Sequence, residues 1–302
     1  MIPLALVTGF LGSGKTTFLK QLVSRYHGRK LVWLVNEFSA RDVDAAVLGD
    51  ETTDVVSIAG GSIFCRCLVT EFIASLRDLP ARFGTPESPV AGVVVEASGM
   101  ANPAVAAMML REAQLDSVYQ LASVTAIVDP GTFLKLLHTL PNIRAQVEAA
   151  SLALLNKTDL YPATLIEQTE AALREINPRL AITRTSYCAA ELDIFAAAPA
   201  SGTRGELAAC RDPHFESFTV SVPESLDWNK FRAAVAAAHN DIFRIKGFAH
   251  RDGRCVHVDY SSSGWQQEDA ARAVPGELVF IVRTPCPAAV RQLVETLKAR
   301  QS

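Results

Sequence analysis

Short apolar runs alternate with stretches of helical spacing along the first two thirds of the chain. Residues 3–8 (Pro-Leu-Ala-Leu-Val-Thr) form an apolar run of the length of a buried strand. After a glycine-rich turn, residues 16–25 place Phe18, Leu19, Leu22 and Val23 on one face of a helix. Residues 31–35 and 55–58 predict two further strands, and residues 70–79 a helix that Pro80 ends. The run at 90–95 is nearly all β-branched, as expected of a strand covered on both faces. A helix over 104–113, a strand over 124–128, a helix end at 145–150 and a strand over 152–155 follow. A helix over 163–176, stopped by Asn177-Pro178, and a short strand near 180–183 complete this part. Strands alternating with helices predict an α/β fold, a mostly parallel sheet flanked by helices.

The pattern changes near residue 196. Residues 196–205 are small and poor in large apolar side chains, which suits a linker. Beyond them the spacing predicts a strand over 217–222, a helix over 227–238, a hairpin turning at Asp252-Gly253, a strand over 278–282 and a helix over 288–299. The expected organisation is an α/β domain over 1–196, a linker over 197–213 and a smaller α+β domain over 214–302. A length of 302 residues accommodates two such domains.

Composition narrows the function classes. With 49% hydrophobic and 20% charged residues the chain has the make-up of a folded protein. Its 29 basic and 32 acidic residues leave a net charge of −3, which argues against a nucleic-acid backbone as partner. No apolar run approaches the roughly 18 residues of a membrane span. Residues 1–6 lack the basic flank and cleavage site of a signal peptide. Six sparse cysteines (65, 67, 188, 210, 255 and 286) read as reduced thiols, so a cytoplasmic location is expected.

The first strand feeds Gly9-Phe-Leu-Gly12-Ser13-Gly14-Lys15-Thr16, a complete G-x-x-x-x-G-K-T phosphate loop, followed by Thr17. Its glycines allow backbone amides to turn inward around phosphates, and the helix N-terminus adds partial positive charge. Lys15 is expected at the terminal phosphates and the Thr16 hydroxyl at a magnesium ion. A P-loop NTPase fold follows.

Asn156-Lys157-Thr158-Asp159 directly follows the strand over 152–155. The Asp159 carboxylate can accept from the ring N–H and the exocyclic amine of guanine, a donor pair that adenine lacks. Asn156 is expected to position the base edge and the Lys157 stem to cover its face. GTP is therefore the nucleotide expected. Glu96 ends the β-branched run, where the magnesium-side acid of such sites stands, and Gly99 can bring its amide near a γ-phosphate.

Four stretches together resemble one family, the CobW-like GTPases. They are Gly9-Phe-Leu-Gly-Ser-Gly-Lys-Thr-Thr17, Asn36-Glu37-Phe38, Glu96-Ala-Ser-Gly-Met-Ala-Asn-Pro103 and Asn156-Lys-Thr-Asp-Leu160. Asp241-Ile-Phe-Arg-Ile-Lys-Gly247 resembles the turn into the hairpin of that family's second domain. The resemblance implies magnesium-dependent GTP hydrolysis coupled to delivery or insertion of a metal, zinc or cobalt, into a client protein such as a metalloenzyme. Two departures stand out. Where the family carries a C-x-C-C motif after a glycine, this chain reads Gly60-Gly-Ser62-Ile-Phe64-Cys65-Arg66-Cys67, with Ser62 and Phe64 where two cysteines belong. Ser39 and Ala40 replace a Gly-Glu pair, although Asp44 matches a later acid.

Cys65 and Cys67 offer two thiolates, whose pKa values Arg66 can lower. A tetrahedral ion needs more ligands, from Glu37 or from a second copy of the chain, so a nucleotide-dependent homodimer joins the expected partners. With a two-residue turn at Asp252-Gly253, His250 falls opposite Cys255 and His257 shares their face. Sheet packing is the favoured reading of that trio, and a metal site the other. Two alternatives to a metallochaperone remain. One is a regulatory GTPase with a protein client and no metal cargo. The other is a P-loop small-molecule kinase, which would leave Asn156 to Asp159 without a purpose.

Overall fold

The computed structural model describes residues 1–37, 54–59, 62–65, 68–196, 215–261, 264–270 and 274–299. These fall into two compact units. The linker expected over 197–213, and with it Phe38, Ser39, Ala40, Asp44, Gly60, Arg66 and Cys67, lies outside the described residues.

In the first unit the chain runs β1 (Ile2–Thr8), α1 (Lys15–Arg25), β2 (Leu31–Glu37), β3 (Val55–Ala59), α2 (Val69–Phe83), β4 (Gly92–Glu96) and α3 (Ala106–Glu112). It continues through β5 (Tyr119–Val128), α4 (Pro130–Leu136), α5 (Pro141–Ala149), β6 (Leu152–Leu155), α6 (Ala163–Ile176) and β7 (Ala181–Arg184). Seven strands form one sheet in the order β3-β2-β4-β1-β5-β6-β7, each paired parallel with its neighbour. The central strands carry almost unbroken apolar side chains because helices cover both sheet faces. Phe18, Leu19 and Leu22 of α1 pack with Ala5, Val7, Trp33 and Val94. The loops that bear the sequence motifs follow the carboxyl ends of β1, β4 and β6, where ligands collect in open parallel sheets.

Pro80 does not end its helix; α2 continues to Phe83. Proline supplies no N–H to the carbonyl four residues back. That carbonyl, Leu76 O, instead accepts from the buried Tyr119 hydroxyl at 2.7 Å. The tertiary bond replaces the missing helical one. Three more expectations shift. The run at 90–95 forms its strand two residues later, because Ala91 N–H is taken by Lys30 O. Residues 103–105 form a tighter 3-10 turn, capped by Asn102, before α3. β5 starts at Tyr119, since parallel pairing with Ile2 extends it through mixed polarity that gave no strand signal. α4 was not expected at all; Asp129 caps it by accepting from Gly131 N–H at 2.9 Å.

The second unit consists of β8 (Phe215–Ser221), α7 (Trp228–Ala237), β9 (Ile242–Arg251), β10 (Arg254–Ser261), β11 (Gly264–Asp269), β12 (Glu277–Arg283) and α8 (Ala288–Ala299). Its antiparallel sheet has the order β11-β10-β9-β12-β8. Phe231 and Val235 of α7 and Val290 and Val294 of α8 share one core with Val220, Ile245, Val258 and Phe280. The hairpin turns at Asp252-Gly253 as expected, both at positive φ. β11, polar and unexpected, pairs with β10. No helix among the described residues is long and apolar enough to cross a membrane.

Candidate functional site

The phosphate loop joins β1 to α1 with Gly9, Gly12 and Gly14 at φ of 141°, 74° and 114°. Those values lie where only glycine is at ease. A side chain at Gly9 would strike Ile127 O, and a Cβ at Gly14 would lie 2.5 Å from Asn156 Nδ2 and 3.1 Å from Cys188 Sγ. No side chain among the described residues caps α1, so its first-turn amides face the loop. The hydroxyl of Ser13 is buried with no partner among the described residues. Thr16 and Thr17 are half-buried in the first turn. The Lys15 ammonium, assigned above to terminal phosphates, donates here to Gly9 O at 2.9 Å and Phe10 O at 3.2 Å.

Asn156 and Lys157 close on this loop from β6. Asn156 Nδ2 donates to Ser13 O at 2.9 Å, and its Oδ1 accepts from Cys188 N–H at 2.9 Å. Lys157, at φ 60°, donates to Gly12 O at 2.5 Å and pairs with Asp129 Oδ2 at 2.8 Å. Its ammonium thus ties the phosphate loop to β5, a role beyond covering a base face. Asp159 stands exposed two residues on. Thr158 bonds the loop after β7 through Thr185 O. In that loop burial pushes the Cys188 thiol up to about 12, with the Lys157 charge opposing it. The thiol stays neutral and donates to Gly14 O.

Glu96 ends β4 between Val7 of β1 and Val35 of β2 in register, and is 2% exposed. After it, Gly99 abuts the phosphate loop: a Cβ there would lie 2.8 Å from Leu11 N. Two α5 side chains hold this turn. Gln146 Nε2 donates to Gly99 O at 3.1 Å and Ala101 O at 3.3 Å, and Asn142 Nδ2 to Met100 O at 2.8 Å. On the other side Asn36 Oδ1 accepts from Ser98 N–H at 3.2 Å.

The cargo side is only partly described. Glu37 is the last residue of β2, in register with Ala59. Cys65 is buried and its N–H donates to Ser62 O. Among the described residues no group of three or more His, Cys, Asp or Glu could hold a metal ion. The hairpin trio keeps its expected register, His250 opposite Cys255, without forming such a group. Cys255 Sγ donates to Val274 O, and the His257 ring lies 5.4 Å from that of Phe248. Sheet packing accounts for both.

Sequence reasoning missed Asp129 and Gln146. An acid directly after the buried run 124–128, before a proline, was a readable signal for the first. Gln146 carried none, since only the packing of α5 brings it to Gly99.

Comparison with known proteins agrees with this geometry. The family described as CobW/HypB/UreG, nucleotide-binding domain, matches residues 3–184, and the cobalamin synthesis protein cobW C-terminal domain matches residues 215–298. The chain is 28% identical over 305 residues to the zinc chaperone CobW of Sinorhizobium sp, covering 85% of this chain and 84% of that protein. It is 30% identical over 187 residues to the zinc chaperone YjiA of Escherichia coli (strain K12), covering 62% and 58%. The crystal structure of Zn(II)-bound YjiA GTPase from E. coli aligns with 98% of each chain at 20% identity and a TM-score of 0.47. With its first domain matched almost from end to end and its second domain matched as well, the chain belongs to the CobW/HypB/UreG nucleotide-binding family and carries that family's CobW C-terminal domain.

Proposed function

We propose that this chain is a GTPase that binds and hydrolyses GTP with magnesium and acts as a metallochaperone, handing a divalent metal to a client protein. One observation carries the nucleotide half: Asn156 and Lys157 donate to Ser13 O and Gly12 O, so the base-reading and phosphate-binding elements form one continuous site. A kinase reading leaves Asp159 unexplained, whereas guanine uses it.

The residues present fit the nucleotide and its magnesium. The buried Ser13 and Ser98 hydroxyls, without partners among the described residues, stand on the two loops that face each other at Leu11 and Gly99. Thr16 and Glu96 would hold magnesium, which when bound neutralises charge on the phosphate oxygens. Lys15 would leave the Gly9 and Phe10 carbonyls for the phosphates, exchanging neutral acceptors for charged ones. The cargo half is supported by the relatives named as zinc chaperones. Cys65 and Cys67 are the thiols proposed to meet the metal, with Glu37 beside them in sequence.

Asp159→Asn tests the reading. Titrated with both nucleotides, it should lose GTP affinity by on the order of a hundredfold and gain affinity for xanthosine triphosphate, whose ring presents an acceptor where guanine donates. Wild-type protein that binds ATP as tightly as GTP would refute the base assignment.

A further inference from the structure

Asn36 stands near the end of β2, 3% exposed, and its carboxamide joins three separate segments. Nδ2 donates to Ile58 O of β3 at 3.1 Å. Oδ1 accepts from Ile63 N–H at 3.0 Å and from Ser98 N–H at 3.2 Å. Ile63 belongs to a compact turn that ends in Cys65: Phe64 N–H bonds the Ser62 hydroxyl and Cys65 N–H bonds Ser62 O. Ser98 precedes Gly99, whose backbone rests against Leu11 of the phosphate loop. A line of direct contacts therefore runs from the phosphate loop through Gly99, Ser98, Asn36 and Ile63 to the Cys65 turn.

We propose that Asn36 is a positioning residue that transmits the state of the Ser98–Gly99 turn, and hence the presence of a terminal phosphate, to Cys65. The inference rests on the nucleotide reading above and adds the residue through which its two halves communicate. One oxygen holds two amides, and Ile63, Phe64 and Ser98 are all buried. When Ser98 moves, the oxygen must follow it or leave a buried N–H unpaired, which is costly. Following it draws on the bond to Ile63, so the Cys65 turn has a different resting place in each nucleotide state. Coupling of this kind requires an element that both sites bias, and the shared carboxamide oxygen is that element.

The full-length wild type, Asn36→Ala and Asn36→Asp are each loaded with magnesium and either GDP or a non-hydrolysable GTP analogue. Loading is verified with a fluorescent guanine nucleotide. N-ethylmaleimide is then added, and modification of Cys65 is followed by peptide mass spectrometry. In the wild type the two rates should differ by at least about fivefold, the lower end of usual coupling. Asn36→Asp keeps the accepting oxygen and should preserve the difference, while Asn36→Ala should bring the ratio near one and still bind both nucleotides. Equal rates in a loaded wild type overturn the inference, as does a full ratio in Asn36→Ala. Loss of the ratio in Asn36→Asp does so too, because it would reduce Asn36 to its tie to Ile58. If Asn36→Ala does not fold, the aspartate variant decides alone on the same criterion. A wild type that binds neither nucleotide overturns the nucleotide reading itself, and this inference with it.

Discussion

Gly14 meets two demands that no other residue meets together. Its φ of 114° is closed to L side chains, and the space a Cβ would take is held by Asn156 Nδ2 and Cys188 Sγ. Gly14→Ala therefore pushes Asn156 off Ser13 O and releases the Cys188 amide from Asn156 Oδ1. We expect a stability loss of about 1–3 kcal/mol from the strained backbone alone. Guanine nucleotide affinity should fall at least about tenfold, the worth of one lost hydrogen bond between the two halves of the site. Urea denaturation and a nucleotide titration measure the two effects separately.

Among the elements, α5 contributes most to the site beyond its packing. It begins at Pro141, whose fixed φ and missing N–H suit a first helical position. Its buried Ile143 and Val147 face inward, which brings Gln146 and Asn142 onto the turn after β4. Gln146→Leu keeps the volume and removes both donations, to Gly99 O and Ala101 O. The turn then loses its hold on the side that meets a terminal phosphate. The expected result is weaker binding of a non-hydrolysable GTP analogue by roughly fivefold, about 1 kcal/mol, with GDP affinity unchanged. Equal weakening of both nucleotides would mean that Gln146 serves the phosphate loop as a whole.

In the molecule as a whole, the second unit keeps an ionic centre of its own. Arg244, buried, forms a two-pronged pair with Asp259 on the adjacent strand, at 3.2 and 2.9 Å. Burial would raise the Asp259 carboxyl, but the Arg244 charge and hydrogen bonds, with Lys246 and His257, outweigh it and hold it below the usual range. A depressed carboxyl stabilises the fold above its unfolded value of about 4, and that contribution is lost as pH falls through the folded value. Asp259→Ala strands the guanidinium and should cost about 3 kcal/mol at neutral pH. The gap between variant and wild type should close in acid, where the wild-type carboxyl is neutral as well. Denaturant midpoints at neutral and strongly acidic pH give the comparison.

The sequence by itself determined the alternation of strands and helices, the hairpin, the phosphate loop and the guanine motif. Each of these is written in contiguous residues, either as periodicity or as glycines and polar groups at fixed spacing. Glu96 was legible for the same reason, as an acid ending an apolar run. Tertiary structure alone decided the rest. Pro80 ought to stop a helix, and it does not because Tyr119, far along the chain, bonds the carbonyl it leaves open. Asn36, Gln146 and Asp129 act across segments far apart in sequence, through Ile63 and Ser98, through Gly99, and through Lys157. A side-chain hydrogen bond leaves no period in the sequence, because its partner is chosen by the packing of whole elements.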